Sequence, residues 1–210
     1  INGVAEKYGL AVIEDAAQGM MSRYRDKPVG SLGHLAAHSF HETKNYTSGG
    51  EGGLLIVNDE KFAERAEIVR EKGTNRAQFF RGMVDKYTWV DVGSSFLLSE
   101  LQAAYLYAQL EQAENVNETR WRLWRNYHEA FSSLEQFGYL KRPSPDPKCV
   151  HNAHMYYLKL AGVEERTRLT EHLKSRRITA VFHYIPLHSS PAGNKFGYFV
   201  GEDLHTTTES

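Results

Sequence analysis

Cysteine is nearly absent from this 210-residue chain: Cys149 stands alone. An internal disulfide framework is therefore excluded, and such scarcity fits a reducing compartment. Excess charge of either sign is also missing, with Lys+Arg 25 against Asp+Glu 26 and a formal net charge of −1. That balance leaves no electrostatic footprint for nucleic acid or an anionic membrane surface. No run approaches the ~18 consecutive apolar residues that a membrane span needs. What is present suits a packed interior: 41% of the residues are hydrophobic and 12% of the chain is aromatic. The length fits one large domain or two small ones at ~100–200 residues each. Asn2 to Gly9 reads as the tail of a helix and Thr206 to Ser210 as the opening of another. With no initiator Met before Ile1, the expectation is an internal piece of a longer, cytoplasmic protein.

Short apolar runs alternate with amphipathic segments through the first half. Gly9 has the position of a glycine that stops a helix, and Leu10 to Ile13 reads as a buried strand ending at Glu14-Asp15. Ala36 to Phe40 and Leu54 to Val57 are further strands, the latter entered from Gly49-Gly50-Glu51-Gly52-Gly53. Asp59 is placed to cap a helix reaching Lys72, with Phe62, Ala66 and Val69 on one face and Gly73 as its stop. Strands of this length between helices predict an α/β sheet covered on both faces. Ser99 opens a longer helix, with Gln102 as its capping-box partner. Its apolar face runs through Leu101, Tyr105, Ala108, Trp121, Trp124, Tyr127 and Phe131 towards Gly138. The pattern divides the chain into residues 1–98, an interdomain helix over 99–137, and a small α+β domain over 138–210. Pro143 to Pro147 forms a stiff connector. In the small domain the pattern predicts a strand from Met155 to Leu160, a helix from Glu164 to Arg177 and a strand from Thr179 to Phe182.

Asp15 falls where a strand gives way to a loop, the usual ligand position of an open α/β sheet. Lys44 follows another strand. A carboxylate and a lysine so placed suit a pyridoxal phosphate site. The anion keeps the pyridine nitrogen protonated, and the amine forms a Schiff base with the aldehyde on the far side of the ring. Ser39, near the lysine, has a hydroxyl for the phosphate. Each residue alone has an ordinary alternative: Asp15 as a turn or cap, Lys44 as a solvated charge, Ser39 as a partner of neighbouring backbone.

The order of five motifs goes further. Glu14-Asp15-Ala16-Ala17-Gln18, Ser39-Phe40-His41-Glu42-Thr43-Lys44-Asn45, Gly49 to Gly53, Ser99-Glu100-Leu101-Gln102-Ala103-Ala104 and His183-Tyr184-Ile185-Pro186-Leu187-His188 occur in that sequence. Together they resemble the DegT/DnrJ/EryC1/StrS family of sugar-nucleotide aminotransferases, across essentially the whole chain. The resemblance implies the aspartate-aminotransferase fold (fold type I), with residues 1–98 as the C-terminal part of the cofactor-binding large domain. It implies pyridoxal 5′-phosphate as cofactor, L-glutamate and a dTDP-sugar as substrates, and a homodimer with shared active sites. Carried over by position, Asp15 pairs with the pyridine nitrogen, Gln18 bonds the phenolic oxygen, Ser39 holds the phosphate and Lys44 forms the Schiff base. Many members carry Asn and Arg where this chain has Ser95 and Leu97; Ser95 keeps a hydroxyl for the partner subunit's phosphate. The family's phosphate loop and ring-stacking aromatic are expected before Ile1.

Other constellations point elsewhere. His34 and His38 would lie roughly 13 Å apart on a strand, too far to share an ion. His151 and His154 precede the Met155 strand and read as structural or substrate-edge residues. The Gly49–Gly53 loop lacks the Gly-Lys-Ser/Thr ending of a phosphate-binding Walker loop. Arg120-Trp121-Arg122-Leu123-Trp124-Arg125 reads as one amphipathic helix with exposed arginines. His183, Tyr184 and His188 follow a strand and are the candidates for facing the substrate. Two rival functions stand beside the transaminase: a dehydratase of the same family, whose members commonly carry His in place of the lysine, and a non-catalytic nucleotide-sugar-binding remnant.

Overall fold

The computed structural model describes residues 1–198 and Leu204; the helix opening expected at Thr206–Ser210 lies outside the described residues. The elements in chain order are α1 (Asn2–Lys7), β1 (Ile13–Asp15), β2 (Arg23–Tyr24), β3 (Lys27–Pro28), β4 (Leu35–Ser39), β5 (Gly53–Val57), α2 (Ala63–Arg70) and α3 (Arg76–Phe80). They continue with α4 (Glu100–Leu110), α5 (Ala113–Ala130), α6 (Ser132–Gln136), β6 (Cys149–Val150), α7 (Val163–Ser175) and α8 (Pro191–Phe196). Two compact units result, Ile1–Tyr127 with Ser144–Tyr156, and His128–Pro143 with Tyr157–Ser210. These units interleave along the chain, with their divisions at 127/128, 143/144 and 156/157, away from 98/99 and 137/138.

The first unit contains a three-stranded sheet ordered β1-β4-β5, with β1 and β4 parallel and β4 and β5 antiparallel. Paired residues share a face and successive residues alternate. Register therefore places Asp15, Ala37 and Leu55 on one face with Ser39, and Glu14, Ala36 and Ile56 on the other with His38. Ala36 and His38 are buried, whereas Ile13 is 67% exposed and Leu55 52% exposed. The prediction of a sheet covered on both faces is thus corrected: among the described residues one face is covered and the Asp15 face is open.

Glu14 organises the covered face. Its carboxylate accepts from the backbone N–H of Gly30 (2.9 Å), Leu32 (2.6 Å) and Gly33 (2.7 Å), folding the 30–33 turn against the sheet. Burial pushes this carboxyl up, but the three N–H donors outweigh it and hold the group below the usual carboxylate range. Gly30, at φ +100°, must be a glycine, since a Cβ there would meet Ile56 and His38 within 3 Å.

The stop and start signals perform as read. Gly9 adopts φ +62° and Leu10 N–H reaches back to Ala5 O at 2.9 Å, closing α1. Asp59 accepts from Lys61 N–H at 3.2 Å, although the helix it caps begins with a 3₁₀ turn over Glu60–Phe62. Ser99 caps α4 through Gln102 N–H at 3.3 Å. The single helix expected beyond it is three helices. Gln112 N–H bonds Gln109 O in a three-residue turn at the first break, and Phe131, with ψ 2°, makes the second. Its predicted apolar face changes accordingly: Leu106 packs with Phe40 and Tyr46 in the core, while Leu101 and Tyr105 point outward.

A second sheet, β3-β2-β6, joins residues 23–28 to Cys149–Val150. The predicted strands Met155–Leu160 and Thr179–Phe182 do not form among the described residues. Their apolar residues find no neighbouring strand; Lys159 makes only an isolated bridge to Lys141, and Tyr156 instead packs on Trp124 and Tyr127.

Candidate active site

A cleft in the first unit is lined by Ala17, Gln18, Met20, Ser39, Lys44, Asn45, Tyr46, Asn152 and His154. Three of the residues named from sequence, Gln18, Ser39 and Lys44, therefore meet at one place. Ser39 ends β4, and its Oγ accepts from His41 N–H at 3.3 Å, which leaves its own O–H as a donor. His41 O then accepts from Lys44 N–H at 2.9 Å, so a tight turn carries the lysine off the strand end. Lys44 is half-buried, and its Nζ has no ion-pair or hydrogen-bond partner among the described residues.

Asp15 is outside this lining. It lies opposite Ala37, one side-chain repeat from Ser39 on the open sheet face, a spacing of ~7 Å along the strand. One carboxylate oxygen accepts from Ala17 N–H at 3.2 Å. Ser95 is exposed, bridges Glu71 through backbone, and is not among the residues that line the cleft. His183, Tyr184 and His188 belong to the second unit. The first two rings stack at 4.1 Å, and His188 sits in the 3₁₀ turn Leu187–Ser189.

Behind Lys44 the backbone is tied down. Tyr46, 2% exposed, donates through its hydroxyl to Ala113 O at 3.1 Å; burial pushes the phenol up, against the pull of the nearby Arg120 charge. Thr47 N–H bonds Gln109 Oε1. Ser48, fully buried, shares its single hydroxyl proton between Phe40 O and Glu51 O, at 3.1 and 3.0 Å. Two positions of the glycine-rich loop require glycine for separate reasons. A Cβ on Gly52 would lie 2.5 Å from Ser48 Oγ, and Gly49 needs φ +78°.

His154, read from sequence as a structural or substrate-edge residue, belongs to a strap with Asn152, whose part is not foreseen there. Asn152 Nδ2 donates to Gln18 O and Met20 O at 2.7 and 2.8 Å. Asn45 Nδ2 donates to Asn152 O at 3.0 Å, and His154 Nδ1 lies 2.8 Å from Asn45 Oδ1. Arg120 clamps the strap from α5 through the carbonyls of Ala153 and His154. Burial pulls its guanidinium below the usual arginine value, with Tyr46 opposing. His151 stacks on Trp121 at 4.2 Å, and burial pulls its imidazole down. The signal available in sequence is a group of polar residues, His151, Asn152 and His154, between the proline-rich connector and the pair Tyr156-Tyr157.

Residues 1–209 match the DegT/DnrJ/EryC1/StrS aminotransferase family. The chain belongs to that family. It is 32% identical to a dTDP-3-amino-3,4,6-trideoxy-alpha-D-glucose transaminase of Streptomyces venezuelae, over 90% of this chain and 46% of that protein. It is likewise 32% identical to a dTDP-3-amino-3,6-dideoxy-alpha-D-galactopyranose transaminase of Aneurinibacillus thermoaerophilus, over 100% and 54%. Among solved structures, S. venezuelae DesV in complex with a ketimine intermediate superposes with a TM-score of 0.84 at 29% identity, over 99% of this chain and 52% of that one. The chain thus spans about half the length of the relatives it matches. The architecture is the mixed α/β one of fold type I, and family members depend on pyridoxal phosphate. The donor set fits that cofactor: a half-buried amine without a counter-ion, a hydroxyl and an amide line one cleft, with a carboxylate on the same sheet. Among the described residues no group of three His, Cys, Asp or Glu side chains is disposed to hold a metal ion.

Proposed function

We propose that this chain carries the catalytic lysine of a pyridoxal-phosphate-dependent transaminase. The enzyme passes the amino group of L-glutamate to the 4-keto group of a dTDP-4-keto-6-deoxyhexose, giving dTDP-4-amino-4,6-dideoxygalactose for a cell-surface polysaccharide such as enterobacterial common antigen. The observation that supports the chemistry is the meeting of Lys44, Ser39 and Gln18 at one cleft. The 4-amino assignment is supported by three stretches, Phe40–Gly53, Arg70-Glu71-Lys72-Gly73-Thr74-Asn75-Arg76 and Asp85-Lys86-Tyr87-Thr88-Trp89, which resemble that transaminase.

Bound pyridoxal phosphate supplies an aldehyde for covalent capture of the amino donor and a ring that withdraws electrons. Lys44 holds the aldehyde at rest and, once displaced, takes the proton from the donor's α-carbon as general base and returns it as general acid. Asp15 holds positive charge at the pyridine nitrogen. Gln18 bonds the phenolic oxygen, and Ser39 donates to the phosphate. Ser95 offers its hydroxyl across a homodimer interface to the partner's site. His183, Tyr184 and His188 meet the nucleotide sugar, with the Tyr184 hydroxyl directed to a diphosphate or sugar oxygen. The presence of Lys44, where dehydratases of the family commonly have His, favours transamination over dehydration.

The test is a visible spectrum of the full chain loaded with pyridoxal phosphate, before and after L-glutamate, followed by product analysis with dTDP-4-keto-6-deoxyglucose. Loss of the cofactor's visible band on adding glutamate and appearance of the 4-amino sugar are expected. A spectrum indifferent to glutamate overturns the activity, and amination at another carbon overturns the substrate assignment.

A further inference from the structure

We infer that His154 and Asn45 form a positioning pair for Lys44, and that Asn152 extends it so that one hydrogen-bonded chain sets the lysine and the Gln18 loop together. The inference rests on the cofactor role proposed for Lys44.

Polar arithmetic fixes the direction of every bond. The Asn152 carbonyl accepts only, so the Asn45 group 3.0 Å away is its amide N–H. Asn45 Oδ1 therefore faces His154, and since it too accepts only, His154 Nδ1 carries the proton across the 2.8 Å contact. Asn152 spends both amide protons on the carbonyls of Gln18 and Met20, and its Oδ1 accepts from His154 N–H at 3.1 Å. The chain thus runs His154–Asn45–Asn152–Gln18, joining parts of the sequence more than one hundred residues apart.

Its place matters because of what flanks Lys44. On the N-terminal side Glu42 and Thr43 are exposed turn residues. Lys44 N–H is held by His41 O on that side, and the side chain next after Lys44 is Asn45, so the turn secures the lysine's backbone from one direction and the Asn45 amide from the other. A displacement of ~1 Å at a reacting group costs about 10²-fold in rate. An alternative to the pair is general packing of the strap, which Arg120 also secures; the two differ in what a substitution of matched shape should do.

The experiment uses the full chain reconstituted with pyridoxal phosphate and compares His154→Leu, His154→Asn and His154→Gln with Asn45→Ala. An asparagine puts its amide N–H where Nδ1 was; a glutamine puts it where Nε2 was. Expected are a roughly 10-fold weaker equilibrium affinity for pyridoxal phosphate and a kcat lower by about 10²-fold in His154→Leu and Asn45→Ala, with KM for glutamate within about threefold. The pH midpoint of the cofactor's visible band should move in the same two variants. His154→Asn should recover most of both losses and His154→Gln should not. Equal behaviour of the Asn and Gln variants overturns the pair, as does an unmoved pH midpoint in Asn45→Ala. Should His154→Leu fail to fold, the Asn-against-Gln comparison still decides. Lys44→Ala run beside them separates the two readings: a visible band retained without Lys44 overturns the cofactor role itself, whereas its loss with inert His154 and Asn45 variants overturns only the pair.

Discussion

The Lys44 cleft and the His183–His188 segment are built on opposite principles. Around the cleft, the side chains of Asn45, Tyr46, Gln109, Arg120, Asn152 and His154 make hydrogen bonds to groups distant in sequence, the carbonyls of Gln18 and Ala113 among them. The turn over residues 186–190 is built from near-neighbour bonds: Ser189 and Ser190 N–H bond Pro186 O, and Ser190 Oγ donates to Leu187 O. Tyr184 and Leu187 are exposed. Long-range bonds cost much chain entropy and fix position; local bonds fix only shape. A group that must hold a reacting atom belongs to the first kind of surrounding, and a group that recognises one of many sugars belongs to the second. The contrast predicts a graded set of responses.

Lys44→Ala should have the largest effect. It removes the group proposed as both covalent anchor and acid–base catalyst, and turnover should fall by at least about 10³-fold. Single-turnover amination by the full chain measures this, and a loss below tenfold would place the chemistry elsewhere. Asp15→Asn comes next, because it neutralises the carboxylate assigned to the ring nitrogen without changing its shape. A loss of about 10²–10³-fold in kcat is expected, in line with removal of one preorganised electrostatic partner. The open position of Asp15 on its sheet face means that its substitution should leave the melting temperature nearly unchanged.

Glu14 sharpens the contrast within β1 itself, since it is adjacent to Asp15 yet faces the other way. Its carboxyl is held below the usual value by the N–H groups of Gly30, Gly33 and Leu32, against the upward push of burial. A group with a depressed folded pKa contributes stability above its unfolded value of ~4.3, and that stability is lost as pH falls through the folded value. Glu14→Gln should therefore destabilise at neutral pH by about 1–3 kcal/mol, because its amide NH2 replaces one of the two accepting oxygens and faces at least one of the three N–H donors, and should flatten the loss of stability below pH ~4.3. Chemical denaturation at several pH values reads both effects. An unaltered acid limb would show that another carboxylate dominates it.

What was legible in the sequence follows the same division. Gly9, Asp59 and Ser99 act through bonds to residues two to five positions away, and local chemistry announces them. The β2–β3 hairpin was silent because its turn is Arg25-Asp26, both at positive φ, without the Asn-Gly or Asp-Gly that marks such turns. The strands placed at 155–160 and 179–182 had the right composition, but a strand exists only with a partner, and composition does not supply one. Gln18, Ser39 and Lys44, which line one cleft, were named through a motif order; Asn152 and His154, bonded to Gln18 O and Asn45, have meaning only once residues 18, 45 and 152 are neighbours in space. Sequence shows which side chains carry chemistry more readily than which ones hold those side chains still.

Tyr184→Phe tests the weak end of the comparison. The hydroxyl lies on an exposed ring stacked against His183, so its removal leaves the packing intact. Stability should stay within about 0.5 kcal/mol of the parent. If the hydroxyl donates to a sugar or diphosphate oxygen, one neutral hydrogen bond of about 0.5–1.5 kcal/mol is lost, equivalent to a KM for the nucleotide sugar raised by about threefold to tenfold. The KM for glutamate and kcat should be unaffected, because neither depends on sugar recognition. A change in kcat instead would move Tyr184 from recognition into the chemistry, and would mean that a locally held segment can carry the precision here assigned to long-range bonds.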